Sequence, residues 1–194
     1  MNSVTVFCAS SKGKNPEFAK SAYELGVTLA YQHITLIYGG AKIGLMGAVA
    51  DGSLSRGGRV IGVIPDFLKT KEVAHDRLSE LITVKTMHER KTQMSELADG
   101  FIILPGGFGT LEEFFEILTW AQLGLHQKPI GLLNIGGYYD HLISLFDQME
   151  KQELIRSTNR KLLVIGEGID ELLEKMNHFE PAFVKNWISD SEKT

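Results

Sequence analysis

Cysteine is nearly absent from the sequence: Cys8 stands alone among 194 residues, so no internal disulfide can form. It sits in the apolar run Val4-Thr5-Val6-Phe7-Cys8, where a buried, inert thiol is expected rather than a nucleophile. Positive charge is also in deficit, with 20 Lys and Arg against 24 Asp and Glu and a net charge of −4. A broad nucleic-acid or membrane-binding surface needs a basic excess, so neither partner is expected. No apolar stretch approaches the roughly 20 residues of a membrane span, and no charged segment leading into an apolar one opens the chain. A cytoplasmic protein is the expectation. His33, His75, His88, His126, His141 and His178 lack the close spacing with Cys or carboxylates that a zinc site requires, so no metal is expected. The pattern G-x-x-x-x-G-K-[ST] is missing, which argues against a nucleoside triphosphatase. Neither repeats nor low-complexity segments are visible.

What the chain does have is 43% hydrophobic residues, enough at this length for one well-buried domain spanning residues 1–194. Short apolar runs alternate with helical patterns along it. Val4 to Cys8, Ile34 to Tyr38, Arg59 to Ile64, Leu81 to Val84, Gly100 to Leu104, Ile130 to Leu133 and Leu162 to Ile165 read as strands. Helices are predicted from about Glu17 to Tyr31, from the second glycine turn to Ser55, from Met87 to Ala98, after Thr110, from Tyr139 to Lys151 and from Gly168 to Met176. Asp66 to Glu80 reads as an irregular surface connection with room for a short helix. The tail from about residue 178 has no assigned element, although Phe179, Phe183 and Trp187 suggest that it packs. Parallel strands need crossover connections, so this alternation predicts an α/β, Rossmann-like doubly wound parallel sheet with helices on both faces. In such sheets ligands bind beyond the carboxyl ends of the strands. That rule gathers Ala9 to Asn15, Gly39 to Gly47 and Pro105 to Thr110 at one edge, with Arg90 and Lys91 able to join them.

The stretch Pro105-Gly106-Gly107-Phe108-Gly109-Thr110-Leu111-Glu112-Glu113 follows an apolar strand and opens a helix that Thr110 could cap. A glycine turn at the positive end of a helix presents unpaired N–H groups to an anion, and glycines let that anion come close. Glu112 and Glu113 in the first helical turn would repel a bare anion, so chemistry next to a phosphate is suggested. Acids are also favourable at that helix end, and neighbouring helical residues differ by about 100° in direction, so one of the two should face the turn. Gly39-Gly40, Gly44 and Gly47 depart from G-x-G-x-x-G. Close ligand approach and tight strand-to-helix packing are equally open there. Arg90-Lys91 reads either as a solvated helix face or as cations set against the helix dipole to meet an anion.

The signature Pro105 to Glu113 resembles the P-G-G-x-G-T-x-x-E motif of the LONELY GUY (LOG) proteins, and Met87-His88-Glu89-Arg90-Lys91 resembles their M-H-x-R-K element. The likeness continues through Gly39 to Gly47, Trp120-Ala121-Gln122-Leu123-Gly124 and Gly137-Tyr138-Tyr139, covering roughly Val4 to Ile165. Ala41 departs from it, since many members carry a third glycine there. Members are cytokinin riboside 5′-monophosphate phosphoribohydrolases. The resemblance implies hydrolysis of an N6-modified AMP, or AMP, to free base and ribose 5-phosphate, by a homodimer without cofactor. It implies Arg90 and Glu113 as catalytic residues. As substrate-binding residues it implies Ser10, Gly39, Gly40, Gly44, Met46, Gly47, Glu72, Met87, Lys91, Pro105, Gly106, Gly107, Phe108, Gly109, Thr110, Glu112 and Thr119. The older label of lysine decarboxylase would need pyridoxal phosphate on a Schiff-base lysine, and nothing marks one. Exposed apolar residues expected at Phe114, Phe115 and Trp120 suit a homodimer, with Thr119 lining a site shared across it. Two alternatives remain: a broader purine and pyrimidine monophosphate nucleosidase, and a nucleotide- or cofactor-binding protein without turnover.

Overall fold

The computed structural model describes residues 1–69 and 74–181. Its strands are β1 (Ser3–Phe7), β2 (Thr35–Tyr38), β3 (Val60–Pro65), β4 (Glu80–Val84), β5 (Gly100–Ile103), β6 (Ile130–Leu133) and β7 (Leu163–Gly166). Between and after them run helices α1 (Pro16–Tyr31), α2 (Gly44–Leu54), α3 (Met87–Leu97), α4 (Phe108–Gln122), α5 (Asp140–Lys151), α6 (Ser157–Arg160) and α7 (Ile169–Asn177). All strand pairs are parallel, in the order β4-β3-β2-β1-β5-β6-β7. The fold is therefore the expected Rossmann-like α/β sheet. From β1 the chain builds outward through β2, β3 and β4, then returns to place β5 on the other side of β1. That reversal opens a crevice at the carboxyl ends of β1 and β5.

Local sequence explains the elements. Gly100-Phe101-Ile102-Ile103 is buried at every position, as befits a central strand covered on both faces. Pro16 opens α1 without wasting an N–H, and the Asn15 side chain accepts from the Glu17 amide. Helices α1, α2 and α7 cover one face through Leu25, Leu29, Val49, Leu172 and Leu173. Helices α3, α4 and α5 cover the other through Met94, Phe114, Ile117 and Phe146. Each such large side chain contributes about 1.5–3 kcal/mol by leaving water.

Several expectations need correction. Helix α4 begins at Phe108 with Gly107 as its N-cap, so Thr110 does not cap it. Glu112 and Glu113 consequently fall in the second turn, and the first turn carries no acid. Extended backbone at Gly107, with φ −95° and ψ −152°, lets the helix start earlier than the side-chain pattern indicates. Phe114, expected outside, is fully buried, because its position on α4 faces the sheet; Phe115 is 37% exposed and Trp120 half-buried. The short helix within the irregular connection is a 3-10 turn at Asp66–Leu68. A second 3-10 turn, Ile135–Gly137, and the short α6 carry too few residues to show a period. Glu72, Phe183 and Trp187 lie outside the described residues. Among those described, no helix is long and apolar enough to cross a membrane.

Candidate functional site

A cavity of about 410 Å³ opens in the crevice, within the range typical of small-molecule sites. Cys8, Ser10, Met46, Met87, Arg90, Gly107, Phe108, Gly109, Thr110, Glu112 and Glu113 all border it. Ala9 and Ser11, from the loop expected at this edge, border it too, as does Leu68, which sequence reasoning did not single out. Leu68 comes from the irregular connection, where no periodic signal could have marked it.

The start of α4 is open. Its first bonded amide is that of Leu111, which donates to the Gly107 carbonyl at 3.0 Å. Among the described residues the amides of Phe108, Gly109 and Thr110 have no acceptor, and no side chain caps Gly107. These are the donors that a helix N-terminus offers to an anion. The carbonyl side of the same turn is held from behind: Tyr138 Oη donates to Gly106 O and Tyr139 Oη to Leu104 O, both at 2.7 Å. Asn134 Oδ1 accepts from the Tyr139 amide at 2.7 Å, which seats the pair. Burial pushes the Tyr139 phenol well above its ordinary value, with the neighbouring Tyr138 adding to the effect, so it stays a donor.

The start of α2 is closed. Its Leu45 and Met46 amides donate to the Ala9 carbonyl at 3.0 and 3.4 Å, and Gly47 donates to Ile43 O at 2.9 Å. Gly44 adopts φ +64°, and a Cβ there would stand 2.2 Å from the carbonyl carbon of Ser10. Only glycine allows that approach. Gly39, Gly40, Gly44 and Gly47 are buried and do not border the cavity; Met46 alone reaches it from this turn. Of the two readings left open by the sequence, tight packing describes these glycines.

Gly39 has a further role, through Arg90. The Arg90 side chain is 5% exposed; its Nε donates to Val63 O at 3.0 Å and its Nη2 to Gly39 O at 2.9 Å. A Cβ on Gly39 would stand 2.1 Å from that Nη2. Arg90 is thus a guanidinium fixed by two backbone carbonyls, with Nη1 3.9 Å from Met87 Sδ, and it borders the cavity. Glu113 reaches the cavity from α4, and its charge, after burial, helps push the Cys8 thiol far above the ordinary range. The thiol is therefore held in its un-ionised form, as suits a buried, inert cysteine rather than a nucleophile.

Lys91, Pro105, Gly106 and Thr119 do not border this cavity. Pro105 and Gly106 line an adjoining hollow of about 250 Å³ with Lys12, Phe18 and Tyr138. Lys91 Nζ lies 2.6 Å from Glu112 Oε1 and 2.9 Å from Glu116 Oε2. Thr119 is exposed lower on α4, donating to Phe115 O at 2.7 Å. Among the described residues no group of three or more His, Cys, Asp or Glu could hold a metal. The site thus combines an anion cradle, a fixed guanidinium and a carboxylate around one cavity. Such a set suits charge development next to a held phosphate.

The family model described as "Possible lysine decarboxylase" matches residues 46–176. A probable cytokinin riboside 5′-monophosphate phosphoribohydrolase of Oryza sativa subsp. japonica is 44% identical over 178 residues, covering 92% of this chain and 71% of the rice protein. A cytokinin riboside 5′-monophosphate phosphoribohydrolase of Arabidopsis thaliana is 43% identical over 180 residues, covering 93% of this chain and 83% of its own length. The X-ray structure of TM1055 superposes with a TM-score of 0.71 at 25% identity, covering 92% of this chain and all of that one. The molybdenum cofactor carrier protein of Chlamydomonas reinhardtii gives a TM-score of 0.68 at 18% identity, covering 90% of this chain and 95% of that one. At that identity the second likeness concerns the fold alone.

Proposed function

The chain belongs to the LONELY GUY family of phosphoribohydrolases, and on that premise we propose that it hydrolyses the N-glycosidic bond of N6-modified AMP, or AMP, to free base and ribose 5-phosphate. The observation that carries this reading is the meeting of unbonded α4 amides, Arg90 and Glu113 on one cavity.

The 5′-phosphate sits on the amides of Phe108, Gly109 and Thr110 and fixes the ribose. As the bond from C1′ to the base lengthens, positive charge builds on the ribose. The Glu113 carboxylate stabilises that charge and orients a water toward C1′. Water supplies the new hydroxyl at C1′, its proton passes to the carboxylate, and the base leaves with the bond's electron pair and takes up a proton. Arg90, permanently charged, holds phosphate or orients Glu113 rather than transferring a proton. No step calls for a metal or an organic cofactor.

Purified protein incubated with N6-isopentenyl-AMP, AMP, GMP, CMP and UMP tests the reading. Free base from the first two is expected. Release from GMP or UMP at comparable rates identifies a broader nucleosidase. Folded protein that binds AMP and releases nothing from any substrate is a binding protein, and the hydrolase reading then fails.

A homodimer completes the proposal. Phe115 on α4 is 37% exposed, one helical turn from the exposed Thr119, and Leu145 on α5 is 47% exposed. Burying them against a second copy would bring Thr119 toward a neighbouring site. Light scattering should give twice the chain mass of 21.5 kDa at micromolar concentration; a monomer there contradicts the assembly.

A further inference from the structure

Lys91 and Glu116 lie just off the cavity wall, and neither is explained by a direct contact with a ligand. The Lys91 side chain is 12% exposed and that of Glu116 is 23% exposed, both low for such residues. Burial pulls the Lys91 ammonium down, but the hydrogen bonds and charges of Glu112 and Glu116 more than offset this and leave it above the ordinary lysine value. The buried Glu116 Oε2 has no other partner among the described residues.

The geometry has a definite pattern. Arg90 and Lys91 are successive on α3, and Glu112 and Glu113 are successive on α4. Successive helical residues diverge by about 100°, so Lys91 turns off the cavity to pair with Glu112 at its rim while Arg90 and Glu113 border the cavity in other directions. Glu116 is one helical turn beyond Glu112 and presents a second carboxylate to the same ammonium. Helices α3 and α4 both pack on the sheet, through Met94 and Phe114, and the Lys91 bridge joins them again at the level of the site. The bridge also matters electrostatically. Glu112, Glu113 and Glu116 put three acids near the amides proposed to hold phosphate, and Lys91 offsets the two that do no chemistry.

We infer that Lys91 and Glu116 are positioning residues: their ion pair clamps α4 to α3 so that Glu113 and Arg90 face one another across the cavity. This rests on the hydrolase reading for its kinetic test but not for its structural one. Lys91→Gln and Glu116→Gln should each lower kcat for base release from AMP about tenfold to hundredfold, the scale for misplacing a catalytic group, with KM within about threefold. Exchanging the charges in Lys91→Glu/Glu116→Lys places a cation on α4 between Glu112 and the new acid on α3. It should recover at least about half of the lost kcat on a logarithmic scale. If instead KM rises steeply in the Lys91 variants and the exchange restores nothing, Lys91 contacts the substrate directly and the clamp is wrong.

Hydrogen exchange of the peptide covering 108–122 supplies the readout that needs no turnover. Faster exchange in both single variants and a return toward wild type in the exchanged pair are expected. Exchange unchanged in all three overturns the clamp even if the wild-type protein proves not to be a hydrolase. Wild-type inactivity with the expected exchange pattern overturns only the function. Melting temperatures within a few degrees of wild type keep the kinetic comparison meaningful.

Discussion

After β2 and after β5 the chain makes the same local move: an apolar strand, a glycine-rich turn, then a helix at the same edge of the sheet. The outcomes differ because of what stands opposite. At the start of α2 the Ala9 carbonyl takes the Leu45 and Met46 amides, and Gly44 packs against the Ser10 backbone. At the start of α4 the Phe108, Gly109 and Thr110 amides have no acceptor among the described residues and their residues border the cavity, while Tyr138 and Tyr139 hold the carbonyl side. A Cβ on Gly107 or Gly109 would have nothing within 4 Å. Glycine thus serves packing in one turn and ligand approach in the other. The two are also linked, since the Ala9 amide donates to Pro105 O at 3.2 Å while its carbonyl closes α2.

The largest expected effect separates the turns by chemistry. Only the α4 turn brings a carboxylate to the cavity, so Glu113→Gln should lower kcat for base release by about 10²–10⁴. AMP affinity measured by calorimetry should stay within severalfold. Wild-type turnover in that variant would place the chemistry elsewhere.

Next come the glycines themselves. Gly44→Ala should destabilise the fold by about 2–4 kcal/mol in urea unfolding, from positive φ and backbone overlap together. Gly109→Ala should change stability by less than about 1 kcal/mol, yet weaken ribose 5-phosphate binding about tenfold by filling the approach. Equal destabilisation in the two variants would erase the distinction between a packed and an open turn.

The smallest effect concerns Cys8, between the turns. Burial and Glu113 raise its folded value above the ordinary 9.0. The folded state then holds the thiol proton more tightly, so the contribution is full below pH 9 and declines as pH rises through that value. The stability difference between wild type and Cys8→Ala should shrink from pH 8 to pH 10. A difference that grows would reverse the sign.

Much of this architecture was legible from local patterns. Seven apolar runs became seven parallel strands, because alternation with helices leaves little other choice. The boundary of α4 was not, since the Gly107 backbone rather than the Thr110 hydroxyl starts the helix. That shift of three residues moves both acids out of the first turn. Nor could sequence separate the two glycine turns, because the deciding group, Ala9 O, comes from a distant loop. The fixing of Arg90 by Val63 O and Gly39 O was hidden for the same reason: backbone carbonyls leave no mark on composition. Phe114 and Phe115 are adjacent, and only packing against the sheet tells the buried ring from the exposed one.

An amide NMR titration of labelled protein with ribose 5-phosphate tests most directly which turn takes the phosphate. Saturable downfield shifts of the Phe108, Gly109 and Thr110 amides, with Leu45 and Met46 little changed, are expected. Shifts centred on Leu45 to Gly47, with the α4 amides unmoved, would contradict the assignment of the open turn as the phosphate site.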